Sequence, residues 1–262
     1  GGVGIDTITM STVAGTLNFT GGGTATDVIN AGAGVANTVT ILDATNITFT
    51  GNSGVDTYTG GSLVDAITVS NAGAAAEADV IATGTGADTI AVWGDVASGV
   101  IATIDDTTTK ITDFAVGTDV LQLSATVGNY TNVTAFDAGT VAAAAAGATV
   151  VTAKAVNSGA TAVGGTDLIQ LTTAQATAGG VTLQTAFDTA IGSATITGLN
   201  AAGDDMFFSL YDSTNSQMLV GTVNSGLDTT IATGDVVSLV ATLDMAASDY
   251  AAFTNADLQI IA

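Results

Sequence analysis

The chain has 262 residues, of which 24 are acidic and 2 are basic, so its formal net charge is −22. It contains no cysteine and no histidine, which excludes disulfide bonds, thiol chemistry and histidine-based catalytic or zinc sites. We expect no nucleic-acid binding, because the cations that neutralise phosphates are missing. We also expect no transmembrane segment, because no apolar run approaches the ~20 residues that span a bilayer.

The composition favours a β-rich fold. Glycine, alanine, threonine, valine and aspartate dominate, and aromatic residues make up only 5% of the chain. Small and β-branched side chains suit thin sheet layers better than a thick helical core. The chain has no proline, which suits a backbone whose N–H groups nearly all join sheet hydrogen bonds.

Six windows of nine residues share one pattern. In each window an aspartate stands at the sixth place, and the residue two places after it is large and apolar. The windows are 1–9, 22–30, 51–59, 60–68, 74–82 and 83–91. The apolar residues are Ile8, Ile29, Tyr58, Ile67, Ile81 and Ile90. We expect them to point into a core while neighbouring threonines point outward, because side chains alternate along a strand. Two windows then make one 18-residue turn of a coil.

Window 1–9, GGVGIDTIT, matches the pattern G-G-x-G-x-D-x-U-x at every specified place. This pattern resembles the calcium-binding repeat of RTX proteins, which form parallel β-rolls. Windows 51–59 and 60–68 each depart at one glycine, where Asn52 and Leu63 stand. Glycine leaves carbonyl oxygens accessible, aspartate adds a short carboxylate, and calcium takes six to eight oxygen ligands. One loop cannot supply that set, so we expect stacked loops to share each ion.

The alternation continues between residues 31 and 50, although the nonapeptide pattern loosens. Val39, Ile41, Ile47 and Phe49 fall on strand-like stretches. We expect longer rungs there that lack a complete calcium loop.

Residues 111–124, ITDFAVGTDVLQLS, resemble the I-x-D-F-x-x-G-x-D-x-L-x-L segment that commonly follows the last repeat of RTX proteins. We expect a strand that ends the coil. Phe114 would cover the open core, and Asp113 would complete a last ion site.

Beyond residue 124 the repeat stops, and we expect a smaller module. Leu183, Phe187 and Ile191 recur at helical spacing, which predicts one helix. Strands joined by a turn are expected within 204–223, with a further strand at 236–243. A short helix capped by Asp244 is expected at 244–253, followed by a final strand from residue 256. The carboxylates of Asp204, Asp205 and Asp212 are expected to be solvated and to lie in turns.

Together these patterns predict a mainly β fold. Residues 1–124 would form a right-handed parallel β-roll, or β-solenoid, with calcium-binding nonapeptide turns and a terminal cap strand. Residues 125–262 would form a β-rich (α+β) C-terminal module that holds any secretion signal. The resemblance implies Ca²⁺ ligation by the side chains of Asp6, Asp27, Asp56, Asp65, Asp79, Asp88 and Asp113. It also implies ligation by the carbonyl groups of Gly2, Gly4, Gly54, Gly61, Gly84 and Gly86.

The resemblance also implies a function outside the cell. RTX proteins are exported by type I secretion and fold where calcium is abundant. In composition the chain is most similar to bacterial surface-layer (S-layer) proteins, which form calcium-dependent lattices. We therefore expect a secreted, non-enzymatic structural protein that assembles with copies of itself. Any attachment to cell-surface polysaccharide would lie in regions outside this chain.

Two alternatives stay open. The chain could be the secretion and folding module of an RTX enzyme or adhesin. Catalysis would then lie upstream, because this chain has no histidine and no G-x-S-x-G motif. It could instead bind ice through outward threonine rows such as Thr7 with Thr9 and Thr57 with Thr59. Windows 22–30 and 60–68 interrupt those rows.

Overall fold

A computed structural model shows the fold of most of the chain. It describes residues 1–23, 25–43, 45–70, 78–94, 96–97, 108–124, 142–144, 151–155, 167–178, 180–192, 195–197, 199, 201, 204–227, 230–254 and 256–261.

The N-terminal half consists of short strands that alternate between two sheets. They are β1 (Thr7–Thr9), β2 (Gly15–Phe19), β3 (Thr26–Asn30), β4 (Asn37–Ile41), β5 (Asn46–Thr50), β6 (Thr57–Thr59), β7 (Asp65–Ser70), β8 (Val80–Ala82), β9 (Thr89–Trp93), β10 (Val96–Ala97), β11 (Thr109–Ile111) and β12 (Val120–Ser124). In the first sheet the order is β1-β3-β5-β7-β9-β12, and in the second it is β2-β4-β6-β8-β11. All these neighbours pair in parallel, so the mainly β fold with parallel sheets is confirmed. Strand β10 lies outside this alternation and pairs antiparallel with a strand of the C-terminal half.

The predicted apolar residues form the core between these two sheets. Ile29, Tyr58, Ile67, Ile81 and Ile90 are buried, whereas Ile8 is half-buried on the outermost strand of its sheet. Their threonine neighbours are half-exposed or exposed, so the alternation is confirmed.

Among the described strands of the two sheets, the 18-residue spacing between neighbouring rungs occurs at one place. Ile47 pairs with Asp65, 18 residues later. Asp65 and Asp88 are 23 residues apart, and Asp6 and Asp27 are 21 residues apart, although each pair occupies equivalent places on neighbouring rungs. The loops absorb the difference because strand pairing, not loop length, determines the register.

Further strands and two helices follow among the described residues. The strands are β13 (Ala142–Ala144), β14 (Val151–Ala155), β15 (Asp167–Gln175), β16 (Thr195–Thr197), β17 (Asp205–Asp212), β18 (Gln217–Asn224), β19 (Thr230–Ile231), β20 (Val236–Asp244) and β21 (Leu258–Ile261). The helices are α1 (Leu183–Ile191) and α2 (Ala247–Ala252). Helix α1 buries Leu183, Phe187 and Ile191 in a second core, as predicted.

The predicted cap of the last helix is wrong. Asp244 ends strand β20, where it pairs with Gln217, and helix α2 begins only at Ala247. The carboxylate of Asp244 lies 3.1 Å from the ammonium group of Lys110. Strand pairing therefore extends the chain past the point where the sequence suggests a helix start.

The expectation of solvated turn carboxylates is wrong, because Asp204, Asp205 and Asp212 are all buried. Asp212 lies at the β17–β18 turn and is fully buried. It accepts hydrogen bonds from the hydroxyl of Thr177 at 2.6 Å, the backbone N–H of Thr214 at 2.9 Å and the amide of Asn215 at 2.7 Å. These donors already satisfy the carboxylate, which fixes the turn.

The two sheets continue beyond residue 124, contrary to the expectation that 111–124 ends the coil. Strand β20 pairs in parallel with β11, and β21 pairs in parallel with β12. Phe114 is buried as expected, but its ring lies 6.0 Å from that of Phe253 and not at an open end. C-terminal strands therefore cover this end of the N-terminal core.

Candidate functional site

The predicted calcium ligands lie on two opposite edges of the stack. Asp6, Asp27, Asp65 and Asp88 stand where the chain enters strands of the first sheet, with Asp113 in a turn on the same edge. Asp56 and Asp79 stand where it enters strands of the second sheet. The structure therefore separates the predicted ligands into a larger and a smaller column, which we call the first and second columns.

Along the first column, a backbone amide of one rung donates to the aspartate of the next wherever the next rung carries one. The N–H of Asp6 donates to the carboxylate of Asp27 at 2.8 Å, and that of Asp65 donates to Asp88 at 2.7 Å. Asp88 in turn donates its N–H to Asp119 at 3.0 Å. The carboxylates thus take up amides at the point where each strand begins, which stabilises the stacking of the rungs.

The second column uses the same arrangement. The N–H of Asn37 donates to the carboxylate of Asp56 at 3.0 Å, and the N–H of Asp56 donates to Asp79 at 2.7 Å. Asn37 thus occupies the place of an aspartate on its rung, and its side-chain amide also donates to Asp56 at 2.9 Å.

A second set of hydrogen bonds closes the loop that precedes several of these aspartates, including Asp6, Asp56 and Asp119. The N–H four residues earlier donates to the carboxylate: Gly2 to Asp6 at 2.6 Å and Ala115 to Asp119 at 2.8 Å. The nonapeptide spacing thus also allows a hydrogen bond within the loop, from the backbone N–H at its second place to the aspartate carboxylate at its sixth place.

Asp88 departs from this pattern. The N–H of Gly84, four residues earlier, donates to the carboxylate of Asp113 at 2.9 Å. Asp88 is 1% exposed, and its Oδ2 is buried without a hydrogen-bond partner. Asp113 therefore leaves an anionic oxygen of Asp88 without a donor, which is costly in a protein interior.

The electrostatics of the first column are unfavourable without a cation. The pKa of Asp88 is raised to about 6, mainly by burial. The neighbouring carboxylates of Asp119, Asp65 and Asp113 contribute to this rise, and the hydrogen bond from the N–H of Asp65 opposes it. Burial likewise raises the pKa of Asp119. Acidic groups whose pKa is raised in this way favour either a proton or a bound cation.

Asp65 is equally buried but better satisfied. It accepts the N–H of Ile47 at 3.0 Å and the hydroxyl of Tyr58 at 2.9 Å. Burial still raises the pKa of Asp65 to about 6, while burial and the nearby Asp65 raise the pKa of Tyr58. In the second column, burial raises the pKa of Asp56.

The predicted glycines have different structural roles. Gly54, Gly84 and Gly86 have φ angles of +121°, +89° and +149°. A Cβ atom at Gly84 would overlap the carbonyl oxygen of Gly61 in the loop below, so close stacking requires glycine there. A Cβ atom at Gly2 or Gly4 would meet nothing within 4 Å, so packing within the chain does not explain those two glycines.

The fit to calcium is best around Asp88. Among the residues that the structure describes, no group of three or more acidic side chains is placed to hold a metal ion by itself. Calcium also accepts backbone carbonyl oxygens, so a site here would need fewer carboxylates. The unpartnered oxygen of Asp88, with Asp113 and Asp119 beside it, is a donor set that suits such an ion. Asp56 and Asp65 already accept hydrogen bonds at both oxygens.

Sequence reasoning missed two members of the carboxylate network. Asp43 accepts the N–H of Gly21 at 3.1 Å, much as Asp113 accepts the N–H of Thr83 at 2.7 Å. Both follow a buried isoleucine in an I-x-D sequence, which could have indicated Asp43. Asp119, the other missed member, stands in a G-x-D sequence directly before β12.

Comparison of the chain with family models, curated proteins and solved structures gives no match. No helix in the described part of the chain is long and apolar enough to cross a membrane. The functional assignment therefore depends on the repeats and on the carboxylate columns.

Proposed function

We propose that this chain is a calcium-binding structural region of an extracellular protein of the S-layer or matrix type, which folds and self-assembles with calcium. On this proposal the alternating strands are the rungs of a right-handed β-roll of the RTX type. The protein would be exported by type I secretion and would have no enzymatic activity of its own.

The observation that carries the proposal is the unpartnered carboxylate oxygen of Asp88. A buried anionic oxygen without a donor destabilises the fold unless a cation or proton neutralises it. Asp113 takes the N–H that would otherwise satisfy it. Calcium bound beside Asp88, Asp113 and Asp119 would supply the missing positive charge.

The overall charge supports the same conclusion. Two carboxylates ~5 Å apart repel each other by about 3 kcal/mol at an effective dielectric constant near 20. The chain has 24 acidic and 2 basic residues, so few such repulsions can be offset by ion pairs. Divalent cations neutralise two charges each and would favour the compact state.

The self-assembly part of the proposal is supported by composition. The chain is rich in glycine, alanine, threonine, valine and aspartate, has no cysteine and has only two basic residues. In this it resembles bacterial surface-layer proteins, which form calcium-dependent lattices.

Negative-stain electron microscopy of the chain with millimolar calcium and with EGTA tests assembly, and circular dichroism tests folding. We expect calcium to induce β structure and to give sheets or filaments that EGTA dissolves. Calcium-dependent folding of a protein that stays monomeric would instead favour the secretion and folding module of an RTX enzyme or adhesin. Identical spectra in calcium and EGTA would refute both.

A further inference from the structure

The outer face of the second sheet carries an unbroken grid of hydroxyl and amide side chains. Strands β2, β4 and β6 pair in parallel without a register shift. Two outward positions on each strand therefore align in two columns. The first column holds Thr16, Thr38 and Thr57, and the second holds Asn18, Thr40 and Thr59. All six side chains are half-exposed or exposed.

Sheet geometry makes the grid regular in two directions. Neighbouring strands lie about 4.8 Å apart, and outward residues recur about every 6.6 Å along a strand. The same two columns can be followed on the first sheet, where Val28 and Ala66 interrupt one of them. These two interruptions belong to windows 22–30 and 60–68, whereas the columns of the second sheet run unbroken from β2 to β6 and stop at Val80 and Ala82 of β8.

The side chains of the grid are uncharged, and five of the six are threonines. Each threonine presents a methyl group and a hydroxyl that both donates and accepts a hydrogen bond. The chain has 24 acidic residues, yet none stands in the grid, and the carboxylate columns run along the edges of the stack. At its far side the grid ends at Val80, which is followed by Lys110.

We propose that this threonine grid, formed by β2, β4 and β6, is an ice-binding surface. The hydroxyls would hydrogen-bond to water molecules at lattice positions, while the methyl groups would sit in the spaces between them. An array with a constant spacing along and across the strands suits a crystalline ligand, because its five threonines offer the lattice the same contact.

Two other occupants fit the grid less well. None of the six side chains is aromatic, so a saccharide would find no ring on which to stack its apolar face. A second copy of the chain would bring another charge of −22 toward this face, and the grid has no carboxylate with which a bridging cation could offset it.

Slow freezing of a dilute solution tests the proposal, with the protein measured in the ice and in the remaining liquid. The full chain is used in calcium-containing buffer. The grid variant is Thr40→Tyr, and the matched control is Thr50→Tyr, a half-exposed threonine at the corresponding outward position of the first sheet. Circular dichroism verifies that both variants keep the parent's β structure.

We expect the parent and Thr50→Tyr to enter the ice and Thr40→Tyr to be excluded, with thermal hysteresis lost in the same variant. Exclusion of the parent from the ice would overturn the proposal, whether or not crystalline cellulose retains the parent. Equal behaviour of the two folded variants would overturn the assignment to the second sheet.

Discussion

Replacement of Asp88 by asparagine distinguishes two effects on the free energy of unfolding: the cost of burying the charge of Asp88 and the gain from binding a cation there. Oδ1 of Asp88 accepts the N–H of Asp65 at 2.7 Å, while Oδ2 has no hydrogen-bond partner. Asparagine keeps the acceptor and replaces the second oxygen with a donor. The chain already contains such an arrangement, because the side-chain amide of Asn37 donates to Asp56 at 2.9 Å. An asparagine at position 88 could donate to Asp119 in the same way.

The expected magnitude follows from the pKa of Asp88. A rise from 3.8 to about 6 means that ionised Asp88 costs the folded state about 3 kcal/mol well above pH 6. In EGTA near neutral pH, Asp88→Asn should therefore raise the free energy of unfolding by up to about 3 kcal/mol. In calcium the order should reverse, because the parent gains binding free energy that the variant loses. Urea unfolding followed by circular dichroism measures both conditions.

Asp65→Asn is the matched control, because burial raises the pKa of Asp65 to about 6 as well. Both oxygens of Asp65 accept hydrogen bonds, so an amide group there would face the N–H of Ile47 or the hydroxyl of Tyr58. Each lost bond costs roughly 1–3 kcal/mol, which offsets the relief of charge. We expect clearly less stabilisation in EGTA than from Asp88→Asn. The reasoning is refuted if Asp88→Asn is less stable than the parent in EGTA, or if its calcium midpoint is unchanged.

Three further predictions concern pH, loop stacking and the buried tyrosine. In EGTA the free energy of unfolding should fall as pH rises from about 4 to about 6, because Asp65 and Asp88, with pKa values of about 6 against 3.8, hold protons longer in the folded state. A rise measured by urea unfolding over that range would contradict this. Gly84→Ala should destabilise the fold by at least about 1 kcal/mol, since φ is +89° and the new Cβ overlaps Gly61; an unchanged melting temperature would argue against tight stacking. Tyr58→Phe should cost roughly 1–3 kcal/mol, because Asp65 loses its hydroxyl donor at 2.9 Å; a urea midpoint equal to the parent's would contradict this.

The strands and their inward faces could be predicted from sequence because both are local. The Asp-x-apolar spacing placed Tyr58 and Ile67 in the core, and both are buried. The helix with Leu183 and Phe187 was likewise visible as a periodic apolar face. In each case one short stretch of sequence contains the whole signal.

The features that were missed depend on pairing between distant segments. Nothing near Asp244 shows that strand pairing with β18 continues to that residue, so a helix cap was predicted instead. The sheet contacts of β20 and β21 with the N-terminal half join residues more than 100 positions apart. The unpartnered oxygen of Asp88 depends on Asp113 taking the N–H of Gly84, a contact across 29 residues.

Isothermal titration calorimetry of the full chain with calcium, together with melting curves in calcium and EGTA, tests the central claim most directly. The carboxylate columns predict saturable calcium binding and a melting temperature that rises with calcium concentration. The absence of a binding isotherm, with equal melting temperatures in millimolar calcium and in EGTA, would contradict the account.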